Sequence, residues 1–520
     1  MSENSTIYKV RIIGYCELGE SETLAKLHAE GPDSLRNLRG EYALVIETNN
    51  EIFIIISPLG AMSYFYTVQN GKLYHSDKLV EIIAQSGLGW EWDWRALGDV
   101  CNLDHLMENL SLHRHIKKVP PGSVLHFKDG KLKLESRLWI DSIEPGKPDP
   151  DEALNALNDE TLYWAGDNPY ISLSGGLDSR VILSSLLKQG IRPHLMTRGH
   201  DKAFDVIVAR QIAAKFGLKL DVIKINLDDF ITHASDISAL TNGSMSARHW
   251  HSYLYPQKAG LDKSSTLYVG ALGEFVRAYP FDYGFLTKIA SVFPEQPLHY
   301  FWNKNLRRLW SFTDEELEGL APEFRAQLDL NGRRERSRRL VKFCHHKLLS
   351  GGSRWFLEQR NPNFAGIGAK MYLASTNWVS PFHSTKWIEH VWRLGDRWKL
   401  GSNWHRYAVQ KNFPELLEFQ EKKGAAEGRI LPRAPLLYWT SMRQRVPYKQ
   451  DNNLAGDWYR SDIISQFLID NSDEISDIIN LATVNKVHAS HVSGNDRTRV
   501  LGFLLSMIYW KMEVKKASRS

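Results

Sequence analysis

The chain reads as an α/β protein in two parts, a β-rich front and a parallel sheet carrying a large helical extension. Three observations predict this. Residues 7–140 hold a succession of short β-branched or aromatic runs separated by turn residues. From residue 170 the rhythm changes to strand, helix, strand, helix, the pattern of parallel strands joined by helical crossovers. From about residue 285 onward the pattern is mostly helical.

Its 520 residues allow two or three domains. Hydrophobic residues make up 43% and charged residues 24%, which fits a soluble globular chain rather than a disordered one. No apolar run reaches the roughly 18 residues of a membrane span. The opening MSENSTIYKV is polar and lacks a signal-peptide core. A cytoplasmic protein without membrane contact is therefore expected. Cys16, Cys101 and Cys344 form no CxxC pair, so neither a disulfide framework nor a zinc site is indicated. They are read as structural thiols.

The net charge of +5 is modest. One dense basic run, Arg333-Arg334-Glu335-Arg336-Ser337-Arg338-Arg339, could touch nucleic acid or a phosphate-rich ligand. A single run favours the blander reading, a solvated helix face. Most of the 17 tryptophans follow residue 300, which points to an aromatic core or groove there, with core packing the favoured reading.

Taken in order, the front strands are IYKVRIIGYC, EYALVIE, EIFIIIS, SYFYTV, KLYHS, SVLHF and KLKLE. Asn49-Asn50 and Asn70-Gly71 mark turns. The second, between apolar strands, predicts a hairpin. VPPGS at 119–123 ends a loop and launches a strand. SIEPGKPDP, 142–150, is the expected linker, which gives domains of 1–141 and 151–515. Beyond it YISLS is a strand, RVILSSLLKQG a helix stopped by Gly190, and PHLMTR the next strand. AFDVIVARQIAAKFG is a helix ended by Gly217, and KLDVIKI is a third strand. There is no internal repeat and no low-complexity tract.

The stretch YISLSGGLDSRVIL, 170–183, carries the chemistry. A glycine-rich turn between strand and helix bends tightly and leaves room for a bulky anion. The helix N-terminus adds partial positive charge. Ser174 and Ser179 can donate to phosphate oxygens, and Gly175 and Gly176 supply the turn. A carboxylate repels phosphate, so Asp178 is read as holding a Mg²⁺ that binds it. The pattern of a Walker loop, G-x-x-x-x-G-K-[ST], is absent.

S-G-G-x-D-S after a strand resembles the pyrophosphate loop of the ATP-pyrophosphatase (PP-loop) group. The resemblance implies ATP and Mg²⁺, with ATP split to AMP and pyrophosphate as a substrate is activated. The surroundings resemble asparagine synthetases and their relatives, including β-lactam synthetases and lasso-peptide cyclases, over roughly residues 35–430. LRGEYALVI, SPLGAMSYFY, GKLYHSDK and KVPPGSVLHF look like landmarks of the family's N-terminal-nucleophile-type (Ntn-type) glutaminase sandwich, and RLWI like its end. LMTRGHDKAFDVIVARQIAAKFG, with Asp205 at the family-type position, resembles the second strand and helix of the synthetase domain. YVGALGEF, VSPFHSTKW and EKKGAAEGR resemble later landmarks.

The resemblance extends to site residues. Glu274 falls where the family has a Mg²⁺ ligand; the alternative is a helix-start acid favoured by the macrodipole. Arg277 would contact phosphate or a substrate carboxylate, or else form a surface ion pair. Lys422 and Lys423 are candidates for the cation that stabilises charge on pyrophosphate, with Lys423 favoured because it precedes Gly424. Arg354 and Arg360 are placed near the same cleft by family analogy. Arg180 is expected to point to solvent or an acidic neighbour. Leu173 and Met196 are the choices for the adenine pocket, or else belong to the sheet core.

Two departures matter. Family glutaminases carry a cysteine after the initiator methionine, whereas position 2 is Ser2, and the glutamine-recognising Asn-Gly-Glu segment has no counterpart before residue 35. The front domain is therefore read as a degenerate glutaminase. Where the family has Glu or Tyr after Gly270, this chain has Ala271. The expected activity is an ATP-dependent, AMP-forming amide ligase acting on a carboxylate and an amine, with no nucleic acid and with room for a homodimer. A pseudoenzyme scaffold and a tRNA-modifying enzyme are the alternatives.

Overall fold

The computed structural model describes residues 9–136, 139–277, 311–341, 348–399, 402–421 and 457–519. The front contains β1 (Lys9–Cys16), α1 (Glu20–Glu30), β2 (Gly40–Glu47), β3 (Glu51–Ile56), β4 (Phe65–Gln69) and β5 (Lys72–Ser76). Then come α2 (Leu79–Ser86), α3 (Trp94–Leu103), β6 (Lys117–Lys118), β7 (Ser123–Lys128) and β8 (Lys131–Ser136). Two antiparallel sheets result, ordered β1-β2-β3-β7-β8 and β5-β4-β6. Val45 and Ile54 of the first meet Tyr66 and Leu73 of the second in one apolar core. The Asn70-Gly71 hairpin forms as expected. Both residues have positive φ, 51° and 72°, the turn whose twist matches the strands it joins.

The front is β-rich as expected, with eight strands, but it also holds α1, α2 and α3, which the sequence reading left out. Leu79, Ile83, Leu97 and Val100 of α2 and α3 share a core with Ile508 and Trp510, far along the chain. Asp93 was the local sign of α3: its carboxylate accepts from the N–H groups of Arg95 and Ala96. Residues 143–149, within the expected linker, have no regular structure. Asp149-Pro150 opens a helix, α4 (Pro150–Tyr163), with aspartate as cap and proline in the first turn.

The second part is built on β9 (Pro169–Ser172), α5 (Leu177–Lys188), β10 (His194–Arg198), α6 (Phe204–Phe216) and β11 (Leu220–Ile223). α7 (Leu227–Thr241), α8 (His251–Lys258) and β12 (Thr266–Tyr268) follow. With β13 (Asn377–Val379) the strands form a parallel sheet ordered β11-β10-β9-β12-β13. The chain leaves β9 toward β10 on one side and returns as β12 on the other. Ligands of such sheets settle where the order reverses, at the carboxyl ends of the strands. The loops after β9 and β12 occupy that place.

The rest of the described chain is mostly helical, as expected. It includes α9 (Pro322–Leu328), α10 (Leu330–Val341), α11 (Leu348–Trp355), a π-helical stretch Phe356–Ala365 and α12 (Gly366–Leu373). α13 (Thr385–Arg393), α14 (Asn403–Asn412), α15 (Asp462–Asn471), α16 (Leu481–Val492) and α17 (Thr498–Arg519) complete it. Among the described residues no helix is long and apolar enough to cross a membrane. Trp250, Trp378, Trp387, Trp404 and Trp510 are fully buried, so these tryptophans are core.

The basic run lies on α10 and is not a solvated face throughout. Arg336 and Arg339 are buried, and both pair with Asp99 of α3. Gly98 makes room for them: a Cβ there would stand 2.7 Å from Nη2 of Arg336. Arg338 stays exposed and pairs with Glu335.

Candidate active site

The serine-glycine loop spans the end of β9 and the start of α5, as read from sequence. Leu173 directly follows β9 and is still tied to β10, its N–H donating to the carbonyl of Met196 at 2.7 Å. The side chains of Leu173 and Met196 are both buried in the core. The loop is then shaped by its own polar groups. The N–H of Ser174 donates to Ser179 Oγ (3.1 Å), that of Gly175 to Asp205 Oδ1 (2.8 Å) and that of Gly176 to Ser174 Oγ (3.2 Å). The hydroxyls of Ser174 and Ser179 lie 3.3 Å apart.

So Asp205 holds the loop, and the turn's N–H groups point inward to side chains rather than all outward to a ligand. Gly175 is required by close approach, since a Cβ would stand 2.2 Å from the Phe204 ring. Gly176, at the N-cap of α5, has no side chain to cap the helix's first N–H groups.

Asp178 sits in that first turn, beside the loop after β12. A Cβ on Gly270 would lie 2.8 Å from Asp178 Cβ, and one on Gly273 would lie 2.7 Å from its Oδ1. Both glycines are thus sites of contact with Asp178. Between them Leu272 is buried with φ of 70°, an uncommon conformation for a branched side chain. Such backbone strain concentrates at functional sites. Glu274 follows directly, in the short turn Gly273–Arg277. The fold therefore brings the two carboxylates predicted to hold metal onto adjoining loops.

Among the described residues no group of three or more His, Cys, Asp or Glu side chains is arranged to hold a metal ion. A cation here would rest on Asp178, Glu274 and oxygens of its ligand. Mg²⁺ commonly binds in this way, through one or two carboxylates plus phosphate.

A cavity of about 190 Å³ adjoins this loop. Ala271, Leu272, Glu274, Arg360, Phe364 and Tyr372 are among its walls. The Arg360 guanidinium lies 4.1 Å from the centre of the Phe364 ring. Arg354 is committed elsewhere, to Glu358 (2.6 Å) and Asp141 (2.9 Å).

Arg180 meets half of its expectation. It is fully buried rather than turned to solvent, with Glu421 as its acidic neighbour. It donates to the carbonyls of Gly175 (3.3 Å), Leu416 (3.4 Å), Phe419 (2.8 Å) and Gln420. Burial pushes its pKa down to about 10, with Glu421 opposing. It ties the phosphate-type loop to the segment leading toward residue 422. Lys422 and Lys423 themselves, and the side chain of Arg277, lie outside the described residues. Glu421 is buried against Arg406, at 3.0 and 2.7 Å.

The site also contains a residue that sequence reasoning missed. His405, on α14, is fully buried, and its Nε2 lies 2.8 Å from Asp178 Oδ1. A lone histidine inside a helix carries no local sign of such a role.

Fold and site define a parallel-sheet α/β protein with a glycine-serine loop at its switch point. Residues 15–139 match the glutamine amidotransferase domain family. The chain is 27% identical over 223 residues to asparagine synthetase (glutamine-hydrolyzing) 1 of Bacillus subtilis (strain 168), covering 40% of this chain and 34% of that protein. It is 24% identical over 237 residues to a putative asparagine synthetase (glutamine-hydrolyzing) of Mycobacterium tuberculosis (strain CDC 1551 / Oshkosh), covering 42% and 36%. The chain therefore spans about a third of the length of the curated relatives it matches. These matches support the asparagine synthetase family.

Proposed function

We propose that this chain is an ATP-dependent, AMP-forming amide ligase of the asparagine synthetase type. In this reading residues 1–141 form an Ntn-type front domain and 151–515 a PP-loop synthetase domain. One observation carries it: SGGLDS stands at the carboxyl end of the central strand, with Asp178 against the loop that bears Glu274. The matches to asparagine synthetases agree with it.

The polyphosphate lies along Ser174–Ser179, where the first turn of α5 offers N–H groups and a positive dipole end. Leu173 and Met196 mark the adenine side. Asp178 and Glu274 hold Mg²⁺, which when bound offsets the charge of the departing pyrophosphate. Lys423 or Lys422, and Arg277, add fixed positive charge. The acid enters the cavity beside Ala271. One of its carboxylate oxygens attacks the α-phosphorus; that O–P bond forms as the bond to pyrophosphate breaks. An amine then attacks the acyl carbon, AMP leaves with the electrons of the broken C–O bond, and the amine's surplus proton is lost to solvent.

The front domain supplies no ammonia in this reading. A thiol nucleophile needs a depressed pKa. Burial instead pushes Cys16 up to about 11 and Cys101 up to about 12. Cys344 lies outside the described residues. The amine is thus expected to come from a substrate or from free ammonia.

The test is ATP–pyrophosphate exchange with the purified chain, Mg²⁺ and a panel of carboxylic acids, with Asp178→Ala as control. Exchange that requires one acid and vanishes in the variant is the expected result. No exchange together with no ATP binding by calorimetry would overturn the ligase reading and leave a scaffold.

A further inference from the structure

We infer that His405 is a positioning residue for Asp178, fixing one oxygen of the carboxylate so that the group meets Mg²⁺–nucleotide in a single orientation. The inference rests on the ligase reading above.

The geometry is specific. His405 is fully buried on α14, which packs along α5. Its Nε2 lies 2.8 Å from Asp178 Oδ1, in ion-pair contact with the carboxylate. Phe382 and Trp404 hold the ring, their centroids 6.1 and 5.7 Å away. Gly273 also approaches the same Oδ1, leaving no room for a Cβ. One oxygen of the carboxylate therefore meets both an imidazole and a backbone.

An apolar side chain would fill the space between Phe382 and Trp404 at lower cost, because a buried imidazole carries polar nitrogens that must be compensated. What a histidine adds there is a polar nitrogen set against the carboxylate of Asp178. Groups that orient a metal-binding carboxylate from behind typically change metal affinity 10–100-fold when removed.

Calorimetry of ATP binding, with and without Mg²⁺, is the test, on the wild-type chain and on His405→Phe. Phenylalanine keeps the ring and removes the nitrogen that meets Asp178. We expect the Mg²⁺-dependent part of the affinity to fall about 10–100-fold. Binding without Mg²⁺ should not change, and His405→Gln should recover part of the loss. On an Asp178→Asn background, His405→Phe should add nothing, because coupled residues are non-additive.

Equal Mg²⁺ dependence in wild type and His405→Phe would overturn the inference while leaving the ligase reading intact. Wild-type binding that ignores Mg²⁺ would instead count against the ligase reading. Should His405→Phe fail to fold, His405→Asn, too short to reach Asp178, is read in the same way. Failure of both to fold would assign the histidine a purely structural role and overturn the inference.

Discussion

Asp99 and Arg339, 240 residues apart in sequence, form a two-pronged ion pair at 3.2 and 2.8 Å, with the aspartate wholly out of solvent. Arg336 donates to the same carboxylate at 3.0 Å. A carboxylate of α3 thus locks the front part onto α10.

Removing that carboxylate leaves two buried guanidinium groups short of their partner. Asp99→Ala should therefore cost about 3–5 kcal/mol, read as a lower urea midpoint. Replacing all three by apolar residues of similar volume should be close to neutral, since a buried ion pair spends much of its attraction on desolvation. Equal losses in the single and triple variants would refute this account.

The loop after β12 should tolerate no side chain on its second glycine. Gly273→Ala would push a methyl group against Asp178 Oδ1. Displacing a reacting group by about 1 Å can cost about 100-fold in rate, so exchange should fall by that order. Melting temperature should move little. At Gly175 the neighbour is the Phe204 ring, and Gly175→Ala should destabilise the fold itself by about 1–3 kcal/mol.

Arg180→Lys is not conservative here. A lysine cannot serve carbonyls on both Gly175 and residues 416–420 with one planar fork. Losing hydrogen bonds from a charged donor costs about 1.5–3 kcal/mol each. Hydrogen exchange should rise first in residues 414–421, detectable by mass spectrometry. Unchanged protection there would mean that Arg180 does not hold that segment.

Glu41 should make stability fall as pH rises. Burial raises its pKa from 4.5 to about 8, against donations from the Ala61 N–H and the Ser57 hydroxyl. Glu160 raises it further. Between those two values the unfolded chain releases a proton that the folded chain keeps, so ionisation favours unfolding throughout the window. One pKa unit corresponds to about 1.4 kcal/mol, so the full loss is on the order of 5 kcal/mol. Glu41→Gln should flatten the stability profile from pH 5 to 8 and be the more stable protein at the upper end. Parallel profiles for the two proteins would exclude the effect.

Much of the fold was legible in the sequence because the relevant signals are local. Asn70-Gly71 takes the positive φ that its hairpin demands, and Gly217 stops α6 in the left-handed conformation. The Ser174–Ser179 loop could be read because strand, glycines and helix start are contiguous. The helices within the front were missed. They are short, and the apolar faces of α2 and α3 are completed by α17 rather than by their neighbours in sequence, while α1 sets Leu27 against Leu35 and Leu38.

By itself, then, the sequence determined the strand–loop–helix that bears Asp178 and the parallel sheet around it, since turn geometry and hydrophobic period act over a few residues. Only the tertiary structure decided which distant side chains close on that loop: His405 on Asp178, Arg180 on residues 416–420, and Arg336 and Arg339 on Asp99. The physical reason is that a buried charge must find its partner wherever packing brings one, and packing joins residues that no local pattern connects.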